Sequence, residues 1–391
     1  MSARLGDVPR HVVVVGSGRL ARSLCDSLAS MRPPQRMRVT VLARNLSAAL
    51  GVARGAQVRA TVAGTGVEFT GEPFTAEPST EPGGGYAADA VSMARLRPDV
   101  LVCAASTQSP YERVYAPSAW TELIATAGFG VTLALQAELV SRLAAALAAG
   151  APDAVLVNGC FPDAVNPLLA ALDLPVLCGI GNVAMLAACL DAALGRPGPR
   201  RLAVLGHHAH LAAPGPNSTG DNTAEVRAWL DGLPVPDVTG LLAGYRALPR
   251  PQLNALAGHA AAALVAGLVA DVGEVVASLP GPLGLPGGYP VLISGGRAQL
   301  RLPPEVSAAQ AVAWNTAAGH RDGVEVSGGH VRYPEHARAA LSVYQPELAE
   351  GWRVTEMPEV FARFIALRDH LRAAPPTPAH APRVLEESRC L

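Results

Sequence analysis

The stretch HVVVVGSGRLARSLCDSLASM, from His11 to Met31, constrains the fold more than any other part of the chain. Four consecutive valines form a β-branched run suited to a strand buried on both faces. A glycine turn follows, and then Leu20, Leu24 and Leu28 recur at every fourth position, marking one apolar face of a helix. After the breaker RPPQ comes MRVTVLARN, a second strand. Strand, helix and strand in this order predict the opening unit of a doubly wound parallel sheet.

Inside that unit GSGRLA (Gly16, Ser17, Gly18, Arg19, Leu20, Ala21) fits G-x-G-x-x-G/A. The first glycine permits the bend, and the second lets a pyrophosphate approach the backbone at a helix N-terminus. The motif is weak alone; following a strand and opening a helix, it points to dinucleotide binding. A carboxylate at the end of the second strand would accept hydrogen bonds from a ribose 2′-hydroxyl. Arg44 and Asn45 stand there instead, and a cation suits a 2′-phosphate. NADP(H) is therefore expected in preference to NAD(H).

Further strands are predicted in RPDVLVCAAS, APDAVLVNGCFPD, LPVLCGIGN and RRLAVLGHHAH, spaced by helical segments. VRATVAGTGVEFTGEPF suggests short strands, QLNALAGHAAAALVAGLVADVGEVVASL one long helix, and GGYPVLISGGRAQLRLPPEVSAAQAVAWNTAAG a strand, turn, strand and helix. The expected fold class is α/β, a Rossmann doubly wound parallel sheet followed by an α+β domain. The expected bounds are 1–178 for the dinucleotide-binding domain, 179–372 for the substrate and oligomerisation domain, and 373–391 for an irregular Pro-rich tail.

Half of the 391 residues are apolar, enough for a large core, and 31 Lys and Arg balance 32 Asp and Glu. No electrostatic bias toward nucleic acid or an anionic membrane follows. The longest apolar runs are Ala-rich and interrupted by His, Asp or Glu, so no membrane span is expected. No signal-peptide apolar region precedes the first strand. Cys25, Cys103, Cys160, Cys178, Cys189 and Cys390 lack paired spacing and read as reduced thiols of a cytoplasmic protein.

LAVLGHHAHL places His207, His208 and His210 at the end of a strand. Alternate residues of a strand share a face, so His208 and His210 would point together. No cysteine or carboxylate lies in the turn to complete a ligand set, and no metal is expected. The two remaining readings are a proton donor and ordinary polar residues closing a strand.

The order of these segments resembles the lactate/malate dehydrogenase family over about residues 10–320. VCAAS resembles its step closing the fourth strand, which implies that Ala104, Ala105 and Ser106 line the cofactor. Arg113 in TQSPYERVY falls where the family's mobile loop carries a substrate-side arginine. Asn158 of AVLVNGCFPD resembles the family's asparagine facing substrate and nicotinamide, with Gly159 in place of its proline. LGHHAHL resembles the catalytic turn, aligning His208 with the catalytic histidine, and His210 beside it is taken as a substrate contact. Met185 falls where the family's Asp orients that histidine, and Ala188 where its second substrate arginine lies; Asp163 and Glu138 are the candidate replacements for the carboxylate.

The resemblance implies an NADPH-dependent oxidoreductase that reduces C=O or C=N on a substrate other than a simple 2-oxo acid. That substrate is a small or carrier-borne molecule of specialised metabolism, and the assembly a homodimer or homotetramer. Two alternatives stand beside it. One is a non-catalytic nucleotide-binding partner subunit of a biosynthetic complex; the other is an opine-dehydrogenase-like enzyme, whose second domain would be wholly helical.

Overall fold

The computed structural model describes residues 8–74, 86–215, 223–270 and 273–374. Cys390 and all but the first two residues of the 373–391 tail lie outside the described residues. The chain opens with β1 (Arg10–Val15), α1 (Arg19–Ser30), β2 (Met37–Ala43), α2 (Leu46–Ala63), β3 (Glu68–Pro73), α3 (Tyr86–Leu96) and β4 (Val100–Cys103). It continues through α4 (Glu112–Tyr115), α5 (Ala119–Ala127), α6 (Leu133–Gly150), β5 (Val155–Asn158), α7 (Pro162–Ala171) and β6 (Cys178–Gly179). Six strands make one all-parallel sheet in the order β3-β2-β1-β4-β5-β6. This is the doubly wound arrangement, with a crevice at the carboxyl ends of β1 and β4, where the winding reverses. Val12, Val13, Val14 and Val15 are all buried, as a strand covered by helices on both faces requires. The expected domain bound at 178 falls inside β6.

The second region begins with α8 (Asn182–Ala193), β7 (Leu202–Leu205), β8 (Arg227–Leu230), β9 (Leu233–Pro234), α9 (Val238–Arg246) and α10 (Arg250–Leu268). After it come β10 (Val275–Pro280), β11 (Gly288–Ser294), β12 (Arg297–Leu300) and α11 (Ala308–Gly319). Two antiparallel three-stranded sheets, β7-β8-β9 and β10-β11-β12, stand among the helices. This region is therefore α+β rather than wholly helical. β13 (Glu325–Ser327), β14 (His330–Arg332), α12 (Glu335–Ser342), α13 (Pro346–Ala349), β15 (Trp352–Arg353) and α14 (Met357–Arg372) complete the described chain. These last elements return to the first region: Trp352, Met357, Phe361 and Phe364 share one core with Trp120 of α5 and Leu143 and Leu147 of α6. The stretch Phe129–Gly150 is long and apolar enough to cross a membrane by length and composition, but it lies buried as the central helix of this core.

Three expectations need correction. Residues read as a short strand at Val58–Val62 belong to α2, whose start is capped by Asn45 accepting from the Ala48 amide at 3.1 Å. Ala49, Val52, Ala53, Ala56 and Ala60 supply its buried stripe, and helical spacing over this length outweighs a brief alternation. The long Ala-rich helix ends at Leu268, and its β-branched continuation pairs as β10 with β11. The strand expected through His210 stops at Leu205, and His208–Leu211 form a 3₁₀ turn. His208 and His210 therefore do not share a strand face.

α10 packs directly on α1, and this contact carries the second region over the glycine turn. A Cβ at Gly258 would strike the Cβ of Ser23. Gly258→Leu is expected to lower unfolding free energy by about 1–3 kcal/mol through overpacking, measured by denaturant titration.

Candidate active site

The crevice at the ends of β1 and β4 opens into a cavity of about 740 Å³. The glycine turn forms one wall, with Gly16, Ser17, Gly18, Arg19 and Leu20 all lining it. At Gly16 (φ +130°) a Cβ would sit 2.7 Å from the Ala104 carbonyl oxygen, so only glycine lets the turn close against β4. Gly18 caps α1 without a side-chain hydrogen bond, and no acidic residue stands in the first turn. Arg44, Asn45, Ala104, Ala105 and Ser106 also line the cavity. Ala21, expected with them, is buried in α1 outside the lining.

The segment after β4 supplies another wall of the cavity. Tyr111 and Tyr115 line it, the Arg19 guanidinium sits 5.2 Å from each ring centroid, and Arg19 also donates to the Tyr115 hydroxyl. The Tyr111 hydroxyl donates to Asn254 Oδ1 on α10. Below, Trp120 donates to Gln108 Oε1 at 3.0 Å and fixes the base of the segment. Arg113, from the same segment, is exposed and outside the cavity lining, which removes the geometric basis for a substrate contact.

At the other end stands His208. Its Nδ1 lies 3.0 Å from both carboxylate oxygens of Asp322, and its backbone amide donates to Asp163 Oδ1 at 2.9 Å. With Nδ1 so occupied, Nε2 is the ring nitrogen left for the cavity. The ring is held by two others: Phe129 stacks on it at 5.3 Å and 24°, and Phe161 meets it edge-on at 5.3 Å. Burial opposes a charge on His208, yet the charge and hydrogen bond of Asp322, with the charge of Asp163, outweigh it and raise the pKa above 6.5. Asp322 is also buried; His208 and His207, the latter 3.1 Å away, hold its carboxylate well below the usual range. Asp163 moves the other way, its pKa raised chiefly by burial.

The orienting carboxylate is therefore Asp322, and neither of the two expected replacements. Asp163 reaches only the backbone of His208. Glu138 lines the cavity but pairs with Arg142 at 3.5 Å, beside the Arg142–Asp89 pair at 2.7 Å. Asp322 is placed by an interlock of glycines. Gly323 (φ +83°) follows it in a left-handed conformation, where a Cβ would collide with the Ala127 carbonyl, and a Cβ on Gly128 would strike the Asp322 carbonyl.

Two further expectations fail on hydrogen bonding. Asn158 is fully buried and outside the cavity lining: its Nδ2 donates to Asn166 Oδ1 (2.8 Å) and Cys160 O (3.2 Å), while its Oδ1 accepts from the Cys160 amide (2.8 Å). It shapes the turn carrying Phe161 (φ +46°), and its amide is spent there. His210 is likewise buried, with Nδ1 accepting from the His207 amide (2.7 Å) and Nε2 beside Thr223 O (2.9 Å). Burial brings its pKa down to about 4. Cys160 does line the cavity, but its contact with Cys103 and its burial push the thiol pKa up, away from nucleophilic use.

Sequence reasoning missed Asp322, the ring clamp of Phe129 and Phe161, and the cavity face of α10 formed by Arg250, Leu253, Asn254 and Ala257. The spacing of those four residues, i, i+3, i+4 and i+7, is visible in the sequence. It reads there as ordinary helical periodicity.

No protein-family model matches the chain, and no curated protein matches it. Among solved structures, similar folds include malate dehydrogenase from Salinibacter ruber (16% identity, TM-score 0.49, covering 80% of this chain and 95% of that one). Another is lactate dehydrogenase from Eimeria maxima with NADH and oxamate (13%, 0.45, 93% and 99%). A third is malate dehydrogenase from Cryptosporidium parvum (16%, 0.45, 80% and 96%).

Two outcomes follow from the geometry. The His208 ring should titrate above 6.5 by NMR, and Asp322→Asn should bring its midpoint down. Gly323→Ala should cost about 1–3 kcal/mol of stability and lower the same midpoint, because the turn that presents Asp322 cannot keep its shape.

Proposed function

We propose that this chain is a nicotinamide-dinucleotide-dependent oxidoreductase that prefers NADP(H) and reduces a C=O or C=N group on a substrate other than a simple 2-oxo acid. The observation that carries this reading is that His208, held by Asp322, and the glycine turn of a doubly wound sheet line one cavity. The residues present fit the cofactor. The close approach of Gly16 to β4 and the uncapped first turn of α1 suit a pyrophosphate, so Gly16 to Leu20 would hold it, with Ala104 to Ser106 beside it. Arg44 and Asn45 would face the ribose, and no carboxylate stands at the end of β2 to favour a free 2′-hydroxyl. A dinucleotide held by these residues would supply the hydride chemistry of the reduction.

His208 does the complementary work. It carries a proton at Nε2, held by the Asp322 carboxylate on the opposite ring nitrogen, and donates it to the oxygen or nitrogen of the group being reduced. Asp322 also fixes the ring, as do Phe129 and Phe161. Met185, Leu211 and Leu253 extend these rings into an apolar wall that keeps water from the reacting group. The alternative of a non-catalytic subunit rested on a histidine without its carboxylate; Asp322 takes that argument away.

Titration of the purified chain with NADPH and NADH tests the cofactor. Tighter NADPH binding is expected, and Arg44→Asp should weaken it by roughly tenfold or more while sparing NADH. Failure to bind either nucleotide would overturn the reading, and an unaltered preference in Arg44→Asp would overturn the role of Arg44.

A further inference from the structure

Arg250 and Asn254 lie one turn apart on the same face of α10, and both line the cavity. Neither has a role in the chemistry just described. Arg250 is exposed and has no ion pair or hydrogen bond among the described residues, yet its charge bears on His208 and opposes protonation there. Asn254 has its Oδ1 committed to the Tyr111 hydroxyl, while its Nδ2 is buried without a hydrogen-bond partner among the described residues. That nitrogen is closed to the cavity, so Asn254 serves to hold Tyr111 rather than to meet a ligand. The first turn of α10 contains no acidic residue, and its positive end adds to the field of Arg250.

We propose that Arg250 is the anchor for an anionic group of the substrate. The proposal rests on the oxidoreductase reading and narrows it. His208 is mostly enclosed, at 24% side-chain exposure, whereas Arg250 stands exposed at the rim. The apolar side chains of Leu253, Met185, Phe161 and Phe129 line the same cavity. The matching substrate has its reducible carbon deep beside His208, an apolar stretch along these walls, and a carboxylate or phosphate at the rim. The planar guanidinium of Arg250 presents paired N–H donors that suit two oxygens of one anion, and it provides the charge.

Calorimetric titration of the full chain with 5-phenylpentanoate, its primary amide, and 3-phenylpropyl phosphate tests the anchor. The wild type should bind at least one of the two anions roughly tenfold or more tighter than the amide, the magnitude of one charge-assisted hydrogen bond. Which anion binds tighter identifies the acid group. Arg250→Gln should erase the difference and Arg250→Lys should restore part of it, with nucleotide affinity unchanged in both. Equal or undetectable binding of anion and amide by the wild type, or an acid preference that survives Arg250→Gln, would overturn the proposal. Nucleotide titration in the same samples separates this from failure of the oxidoreductase reading, which shows as loss of nucleotide binding with the acid preference intact.

Discussion

The contact between His208 and Asp322 is the interaction on which the rest of the site depends. The two residues are 114 positions apart, and their meeting requires the turn after β7 and the turn after α11 to be in place together. The buried pair also ties the site to folding. Asp322 has its pKa lowered in the folded chain, so its contribution is present above the usual 3.8 and is lost as pH falls through the folded value. His208 has its pKa raised, so its contribution is present below 6.5 and is lost as pH rises through the folded value. Both act together between those bounds. Asp163, raised by burial, works against them wherever it is ionised.

The cavity joins parts of the chain with different physical tasks. Backbone groups dominate at the glycine turn, where side chains would obstruct the approach to β4. Rings and aliphatic chains dominate at His208, where water would compete for the proton. Tyr111 and Tyr115 link the two, one holding α10 through Asn254 and the other bound to Arg19 of the turn. A rearrangement of this segment would therefore be felt at both walls. The close seat of α10 on α1 fixes the distance between them.

The first βαβ unit was legible in the sequence because its signals are local: a valine run, a glycine turn and a leucine stripe within one window. The glycine-turn residues followed from that frame, whereas His208 was singled out by the resemblance of LGHHAHL to a family's catalytic turn. Asp322 was not legible, since nothing in GHRDGV distinguishes a buried carboxylate from a loop aspartate, and its partner is set by tertiary packing. Asn158 and His210 were misread for a related reason. Each is polar and placed beside the site, but hydrogen bonds to neighbouring backbone and side chains consume both ends of its polar group. The pairing of His208 with His210 failed because the strand ended early, and a 3₁₀ turn follows a different periodicity. Arg250 was hidden at the start of a helix read only for its alanines.

The central claim is that Asp322 makes His208 a proton donor within the reductive half of a dinucleotide cleft. Its most direct test is the pH dependence of reduced-nicotinamide consumption, with the best ketone or imine from a panel, in the wild type and Asp322→Asn. The rate should fall as pH rises through the His208 pKa, above 6.5, and Asp322→Asn should move that limb to lower pH and reduce the maximal rate. A limb that stays in place in Asp322→Asn, or that persists unchanged in His208→Gln, would contradict the account.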